Sequence, residues 1–485
     1  MDLMNKSFLS RRAFFGVAPA VGALAIPAQT PPQRSAGAPN ILLVICDQMR
    51  GDALGTLGNL NARTPNLNRM ARQGVTFDNC FSNNPVCVPS RKSLFSGLYP
   101  HQHGTLTNQQ NTFLGTPDTI IGHFKKQGYR IGYFGKNHTF TKEALKDIDK
   151  VGIRDREPFR EYNSWSTPYW YSANFWPPEK CHPHLNTEDA IDFLHTQPKS
   201  ERFFLTVSYF DPHPPYFAPA EHLLRRDPNT IRIPEYISPD ALTPRLGEFS
   251  RALGLESLGE ADMMQAMHHY HAAVEWGVDQ QVGRLLDTLD RQNMTRDTLV
   301  LFVSDHGDFC GHYNLLGKAM FLHDSLLHIP MIWYAPGRIP QGVRRSSMAQ
   351  LTDVFPTLLE MTGAPVPSNL SGQSLKTVIQ GEDENAPDRT IFTSAAYGRI
   401  DFAKLPEGAD DTPLHTRVLK FAMTPKNRTS MARTKEWKMV LNEEGPPEFY
   451  HMNGGHVERT NIAGRKEYAD VRRGMEKNLT QWWKW

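Results

Sequence analysis

Cys87 heads the run Cys87-Val88-Pro89-Ser90-Arg91, a spacing that can set a nucleophilic sulfur beside a cation. Pro89 suits the first turn of a helix, where its missing N–H costs nothing, and a helix N-terminus favours an anionic group nearby. If that turn is helical, Arg91 lies four residues on and on the same face, where its guanidinium can steady a bound tetrahedral oxyanion. Other chemistry-bearing residues are Asp47-Gln48, Lys136 and His138 in GKNH, His213 in FDPHPPY, Asp305-His306 in SDHGD and Lys318 in LLGKAM. Taken singly, each has a plain use. Aspartates cap helices, most lysines are solvated, and short cysteine motifs recur by chance.

The elements that must position these residues join them. Short apolar, β-branched runs cover 41–45, 131–134, 203–209, 299–303 and 331–334, separated by helical patterns. Val274, Val278, Val282, Leu285, Leu286 and Leu289 recur at helical spacing and predict a helix with one face on a sheet. Alternating strands and helices imply a largely parallel, doubly covered sheet, and in such sheets ligands gather at the carboxyl ends of the strands. Asp47 follows the first run, Lys136 and His138 the second, His213 the third and Asp305 the fourth. Separate strands thus deliver carboxylates, imidazoles and amines to one edge, an alignment not expected of independent structural uses. From about residue 388 the pattern shifts to shorter segments, including 433–441 and 448–452, with a terminal helix from Lys466.

Together with CVPSR, this order of polar residues resembles the type I sulfatases of the alkaline phosphatase superfamily. Thr64-Pro65-Asn66-Leu67, Gly97-Leu98-Tyr99-Pro100-His101, the run LTDVFPTLL from Leu351, Gly372-Gln373-Ser374-Leu375 and Glu448-Phe449-Tyr450 are similar to further family landmarks. The resemblance implies a three-layer α/β/α sandwich with a large, mostly parallel mixed sheet, and a small C-terminal α+β subdomain with an antiparallel sheet. It implies that Cys87 is oxidised to formylglycine, whose hydrated aldehyde accepts the sulfuryl group on one hydroxyl and expels sulfate through the other. Asp47, Gln48, Asp305, His306 and the modified Cys87 would hold one divalent metal ion, and Arg91, Lys136, His138, His213 and Lys318 would surround the sulfate. Within that set His213 is expected to donate the proton to the leaving oxygen, with Lys318 close by, and His138 to take the second hydroxyl's proton. The two imidazole roles can be exchanged. Many members carry Asp-Asp where this chain has Asp47-Gln48, and Asn where it has His306. Calcium is the ion the resemblance implies, while fewer carboxylates and a nitrogen donor leave manganese, magnesium and zinc open.

The expected organisation is a twin-arginine signal peptide over 1–28, a flexible lead-in over 29–39, a catalytic domain over 40–387 and the C-terminal subdomain over 388–485. Arg11-Arg12 precedes an apolar run, 17–26, that is too short to span a bilayer. These features predict a periplasmic or secreted protein. Its partners would be a formylglycine-generating enzyme and the twin-arginine export machinery, with no stable membrane insertion. A length of 485 residues, 39% hydrophobic, fits one large domain plus a smaller one, and a net charge of +2 offers no bulk attraction for nucleic acid. The five cysteines show no CxxC spacing, so neither a zinc ribbon nor a disulfide framework is indicated.

The nearest rival activity is that of the phosphonate monoester and phosphodiester hydrolases, which share an oxidised cysteine and an Asp-Gln, Asp-His set. They carry neutral hydroxyls where this chain has Lys136 and His138, so those two residues favour sulfate. A noncatalytic binding protein would require Cys87 to stay a thiol. The expected substrate is a sulfated small molecule or carbohydrate. Trp165, Tyr169, Trp170, Tyr171 and Phe175 could stack on sugar rings or line an aryl pocket, or simply pack together as an insertion. Lys420, Lys426, Arg428, Arg433 and Lys435 could attract an anionic polysaccharide or form an ordinary solvated face.

Overall fold

The structure, a computed structural model, describes residues 37–110, 113–154, 171–174, 176–252, 259–382, 389–398, 424–453 and 455–484. In chain order its strands are β1 (Asn40–Asp47), β2 (Val75–Phe81), β3 (Arg130–Gly135), β4 (Lys150–Ile153), β5 (Tyr171–Asn174), β6 (Phe203–Pro212) and β7 (Tyr216–Pro219). There follow β8 (Thr298–Ser304), β9 (His328–Tyr334), β10 (Val343–Gln350), β11 (Ile391–Tyr397), β12 (Asn427–Arg433), β13 (Trp437–Asn442) and β14 (Glu448–His451).

An eight-stranded sheet runs in the order β10-β2-β9-β8-β1-β6-β3-β4. β1 reads NILLVICD and is buried along its whole length, as a central strand covered on both faces must be. Strand alternation sends Ile41, Leu43 and Ile45 into one apolar layer and Leu42, Val44 and Cys46 into the other. The first layer takes in Leu94 and Phe95 of helix Cys87–Ser96, Phe124 of Ile120–Lys126 and Phe355 of Val354–Thr362. The second takes in Leu67 of Pro65–Arg72, Phe193 of His182–His195 and Leu285 of Gln280–Arg291. This is the expected α/β/α sandwich. The strands β11 to β14 form the separate antiparallel sheet of the C-terminal region.

β1 pairs in parallel with β6 and β8, and β3 in parallel with β6, so their carboxyl ends share one edge. β9 is antiparallel to both of its neighbours, β2 and β8. Since β8 ends and β9 begins at that same edge, the whole connection 305–327, which carries Lys318, stays beside the site.

Some local expectations need correction. β2 (VTFDNCF) and β10 (VRRSSMAQ) lie outside the apolar runs, because strands toward the rim of the sheet carry polar residues. The helix expected at 274–289 begins instead with a π-helical turn, Val274–Asp279, that follows Glu260–Ala273. That turn brings the Asp279 carboxylate to the main-chain N–H of Leu67, 2.7 Å away, capping helix Pro65–Arg72. The segment 433–441 is split, with Arg433 closing β12 and Trp437 opening β13. The terminal helix starts as a short 3₁₀ turn at Lys466 and runs on as Ala469–Trp482. The expected signal peptide lies outside the described residues. No helix among the described residues is long and apolar enough to cross a membrane.

Candidate active site

The chain reaches the site through backbone conformations that ordinary residues avoid. Gln48, just past β1, has φ 71°, and His138, just past β3, has φ 44°. Left-handed backbone at non-glycine residues costs about 1–3 kcal/mol and clusters at functional sites. Gly135 has φ 101°, and a Cβ there would meet the Ser208 carbonyl oxygen at 2.0 Å. Only glycine therefore lets β3 turn Lys136 into the site. Helix Cys87–Ser96 is buried at all ten residues. The hydroxyls of Ser82 and Ser90 both donate to the main-chain oxygen of Asp305, lashing this helix to the end of β8.

Asp47, Cys87, Asp305 and His306 each offer one ligand atom, all within 4.8 Å of one another. Cys87 Sγ lies 3.3 Å from His306 Nε2, 3.6 Å from Asp47 Oδ1, 3.0 Å from Lys318 Nζ and 3.7 Å from Lys136 Nζ. His138 and His213 also interact with the Cys87 side chain. These two are half-buried, whereas Asp47, Gln48, Arg91, Lys136, Asp305 and His306 are fully buried, so the imidazoles stand on the solvent side.

The donor set fits a cation. His306 donates its Nδ1–H to the Gly307 carbonyl at 2.9 Å, which leaves the Nε2 lone pair facing the cluster. Gln48 donates from Nε2 to Asp308 Oδ2 at 2.5 Å, and its buried Oε1 has no hydrogen-bond partner among the described residues. An orphaned carbonyl oxygen next to two carboxylates and an imidazole nitrogen is a divalent-metal donor set.

Around this set the field is positive. Burial opposes ionisation of Cys87, yet Lys136 and Lys318 pull its thiol well below the ordinary value. The pocket is thus built for an anion where the sulfur now sits. Burial likewise disfavours the Asp47 carboxylate, but Lys136 and Lys318 hold it well below the usual range. Asp305 is lifted to about 6, by burial and then by the neighbouring Asp47 charge. His213 donates Nδ1–H to the Pro214 carbonyl at 2.6 Å, and burial followed by Lys318 lowers it to about 3, so at rest it is a neutral imidazole.

With this geometry in place, comparison with known proteins is decisive. A family model described as Sulfatase matches residues 39–364. The chain belongs to the sulfatase family. It is a sulfuric ester hydrolase of the alkaline phosphatase superfamily. The arylsulfatase of Clostridium perfringens is 28% identical, over 89% of this chain and 92% of its own length. Among solved structures, the phosphonate monoester hydrolase of Agrobacterium radiobacter superposes with a TM-score of 0.73 at 22% identity, covering 91% of this chain and 94% of that one. A structure solved in complex with its substrate D-glucosamine-2-N,6-O-disulfate superposes with a TM-score of 0.70 at 21% identity, covering 92% and 97%.

The residues that sequence reasoning assigned to the sulfatase site converge, with one change of position. Arg91 is turned to buried partners. Its Nε donates to Asp305 Oδ2 at 2.7 Å, Nη1 to Ser208 Oγ at 2.8 Å and Nη2 to Asp47 Oδ2 at 3.1 Å. Two buried carboxylates claim a buried guanidinium before any substrate can. Asp308 and Ser208 were missed, although the second aspartate of SDHGD was a usable signal for the former. Of the basic run, Arg433 is buried on Asp324 beside Lys438, whereas Arg428 pairs with Glu443 at the surface and Lys426 is exposed. Trp165, Tyr169, Trp170, Phe175 and Lys420 lie outside the described residues, while Tyr171 packs against the His269 ring at 4.5 Å.

Proposed function

We propose that this sulfatase hydrolyses sulfate monoesters through a formylglycine made from Cys87, with a divalent metal held by Asp47, Gln48, Asp305 and His306. The observation that carries the proposal is the convergence of three ligand atoms, from Asp47, Asp305 and His306, and of two lysine ammonium groups on a single buried cysteine sulfur. Sγ stands in for an oxygen of the hydrated aldehyde. That hydrate supplies one hydroxyl to accept the sulfuryl group and a second whose deprotonation releases sulfate, while the cation supplies positive charge against the nonbridging oxygens.

The chain's own residues perform the remainder. Lys136, 2.6 Å from Asp47 Oδ2 and set over the Phe210 ring at 4.7 Å, is held in place and adds fixed charge on the sulfate side. Burial, and then Lys318, lowers His213 to about 3 and so favours its neutral form. The proton for the leaving oxygen is therefore assigned to Lys318 in place of His213. His138 keeps the role of base toward the second hydroxyl. Arg91 acts indirectly, by aligning Asp47 and Asp305. A charged Lys136 beside the reacting group supports sulfate over the phosphonate chemistry named for one structural neighbour.

A sulfated carbohydrate is the proposed substrate class, supported by the glucosamine disulfate bound to a structural neighbour. Calcium is the proposed ion. Maturation by a formylglycine-generating enzyme and twin-arginine export to the periplasm or beyond complete the proposal. Fragmentation mass spectrometry of the tryptic peptide spanning 73–91, from a host competent for the oxidation, tests the core of it. An aldehyde at Cys87 with release of sulfate from sulfated sugars is expected. An intact thiol, in a host that modifies a control sulfatase, would overturn the reading.

A further inference from the structure

Asp308 lies outside every role described above, yet its carboxylate gathers four hydrogen bonds directly behind the site. Its Oδ2 accepts from Gln48 Nε2 at 2.5 Å and from the Tyr216 hydroxyl at 2.8 Å. Its Oδ1 accepts from the main-chain N–H of Cys310 at 2.7 Å and of Gly317 at 2.9 Å. The Tyr216 hydroxyl itself accepts from Gly317 N–H, at 3.1 Å, so its own proton is directed at Asp308. Every contact is a donor, which is what an ionised carboxylate requires. The group is fully buried, and no cation lies within ion-pair distance of it among the described residues.

This arrangement constrains residue 48. With the amide reversed, Gln48 Oε1 would stand against Asp308 Oδ2, oxygen to oxygen. The carboxylate therefore forces Nε2 toward itself and leaves Oε1 as the free oxygen on the other side, the orphaned atom noted above. A carboxylate at position 48 would face Asp308 at hydrogen-bond distance. The pair would then repel or share a proton that an incoming cation must displace.

We infer that Asp308 is a positioning residue that makes a neutral amide obligatory at position 48 and aims its carbonyl oxygen at the metal. The inference rests on the metal reading above. It runs against simple charge counting, in which an extra carboxylate strengthens cation binding. Through Gly317 the same carboxylate anchors the residue preceding Lys318, so metal ligation and the lysine share one support.

The test is calorimetric titration of calcium, and of manganese in parallel, into the full-length protein carrying unoxidised Cys87. The proteins are the parent, Gln48→Glu, Asp308→Asn and the double variant. Each single change should weaken calcium binding by about 10–100-fold, the usual effect of losing an outer partner of a ligand. The double variant should return to within a few-fold of the parent, because the amide introduced at position 308 can donate to the carboxylate introduced at position 48. Rescue of this kind is not expected of a residue that only stabilises the fold. If Gln48→Glu binds calcium as tightly as the parent, or Asp308→Asn changes nothing, the inference is wrong. Should one single variant fail to fold, the other single and the double still decide. A parent that takes up neither ion would instead overturn the metal reading itself.

Discussion

Replacing Arg91 with methionine separates two uses of a guanidinium that the sequence alone cannot distinguish. In the structure Arg91 is fully buried and its fork is divided between Asp305, Asp47 and Ser208, with both carboxylates equally buried. Methionine keeps much of the volume and removes all three donors. Breaking a buried ion pair from one side costs about 3–5 kcal/mol, because the remaining charge stays in a poorly solvating interior. Metal-free Arg91→Met should therefore lose about that much in equilibrium urea unfolding at pH 7. A saturating divalent cation supplies the missing positive charge to the same two carboxylates, so the deficit should shrink in millimolar calcium. For comparison, calcium at 100 times its dissociation constant stabilises any protein that binds it only when folded by about 2.7 kcal/mol. A loss under about 1 kcal/mol without metal, together with a raised KM for sulfate esters, would refute this reasoning and return Arg91 to the sulfate.

Three further outcomes are expected. Lys318→Ala should slow esters of poor leaving groups at least tenfold more than activated aryl esters, while His213→Ala should show a smaller leaving-group dependence; the reverse order in a kcat/KM series would restore His213 as the sole acid. Changing Lys136 and His138 to Tyr and Thr should lower sulfate-ester relative to phosphonate-ester turnover, and an unchanged ratio in paired assays would remove the structural reason for preferring sulfate. His271 and His328 are each 4% exposed and held at about 3, chiefly by burial, so between pH 6.5 and 3 the unfolded chain binds protons that the folded one refuses. Stability should thus fall as pH drops, by about 3 kcal/mol for the two together between pH 6.5 and 5, in urea midpoints measured at both pH values.

Much of the architecture was legible because central strands and chemistry leave strong local marks. The runs at 41–45 and 299–303 are apolar throughout and 203–209 is broken only by Thr206 and Ser208, as expected of strands buried on both faces, and the residues just beyond them fall at the active edge by the geometry of parallel sheets. β2 and β10 left no such mark, since a strand near the rim needs few apolar residues. The break between Arg433 and Trp437 was hidden because hairpin turns can use ordinary residues. Residue types and order therefore sufficed to name Asp47, Gln48, Cys87, Lys136, His138, His213, Asp305, His306 and Lys318 as one set.

Residue order does not determine which neighbour a long side chain prefers, because that competition is settled among groups brought together from distant parts of the chain. Arg91 is 214 positions from Asp305 and Gln48 is 260 from Asp308. Only folding sets these partners at hydrogen-bond distance, in an interior where an unpaired charge is costly. There the carboxylates captured the guanidinium, the Asp308 oxygen turned the Gln48 amide, and burial with the nearby lysines suppressed the charge on His213. The sequence by itself determined the family, the sheet and the set of residues proposed for the site; the tertiary structure decided which of them pair with one another.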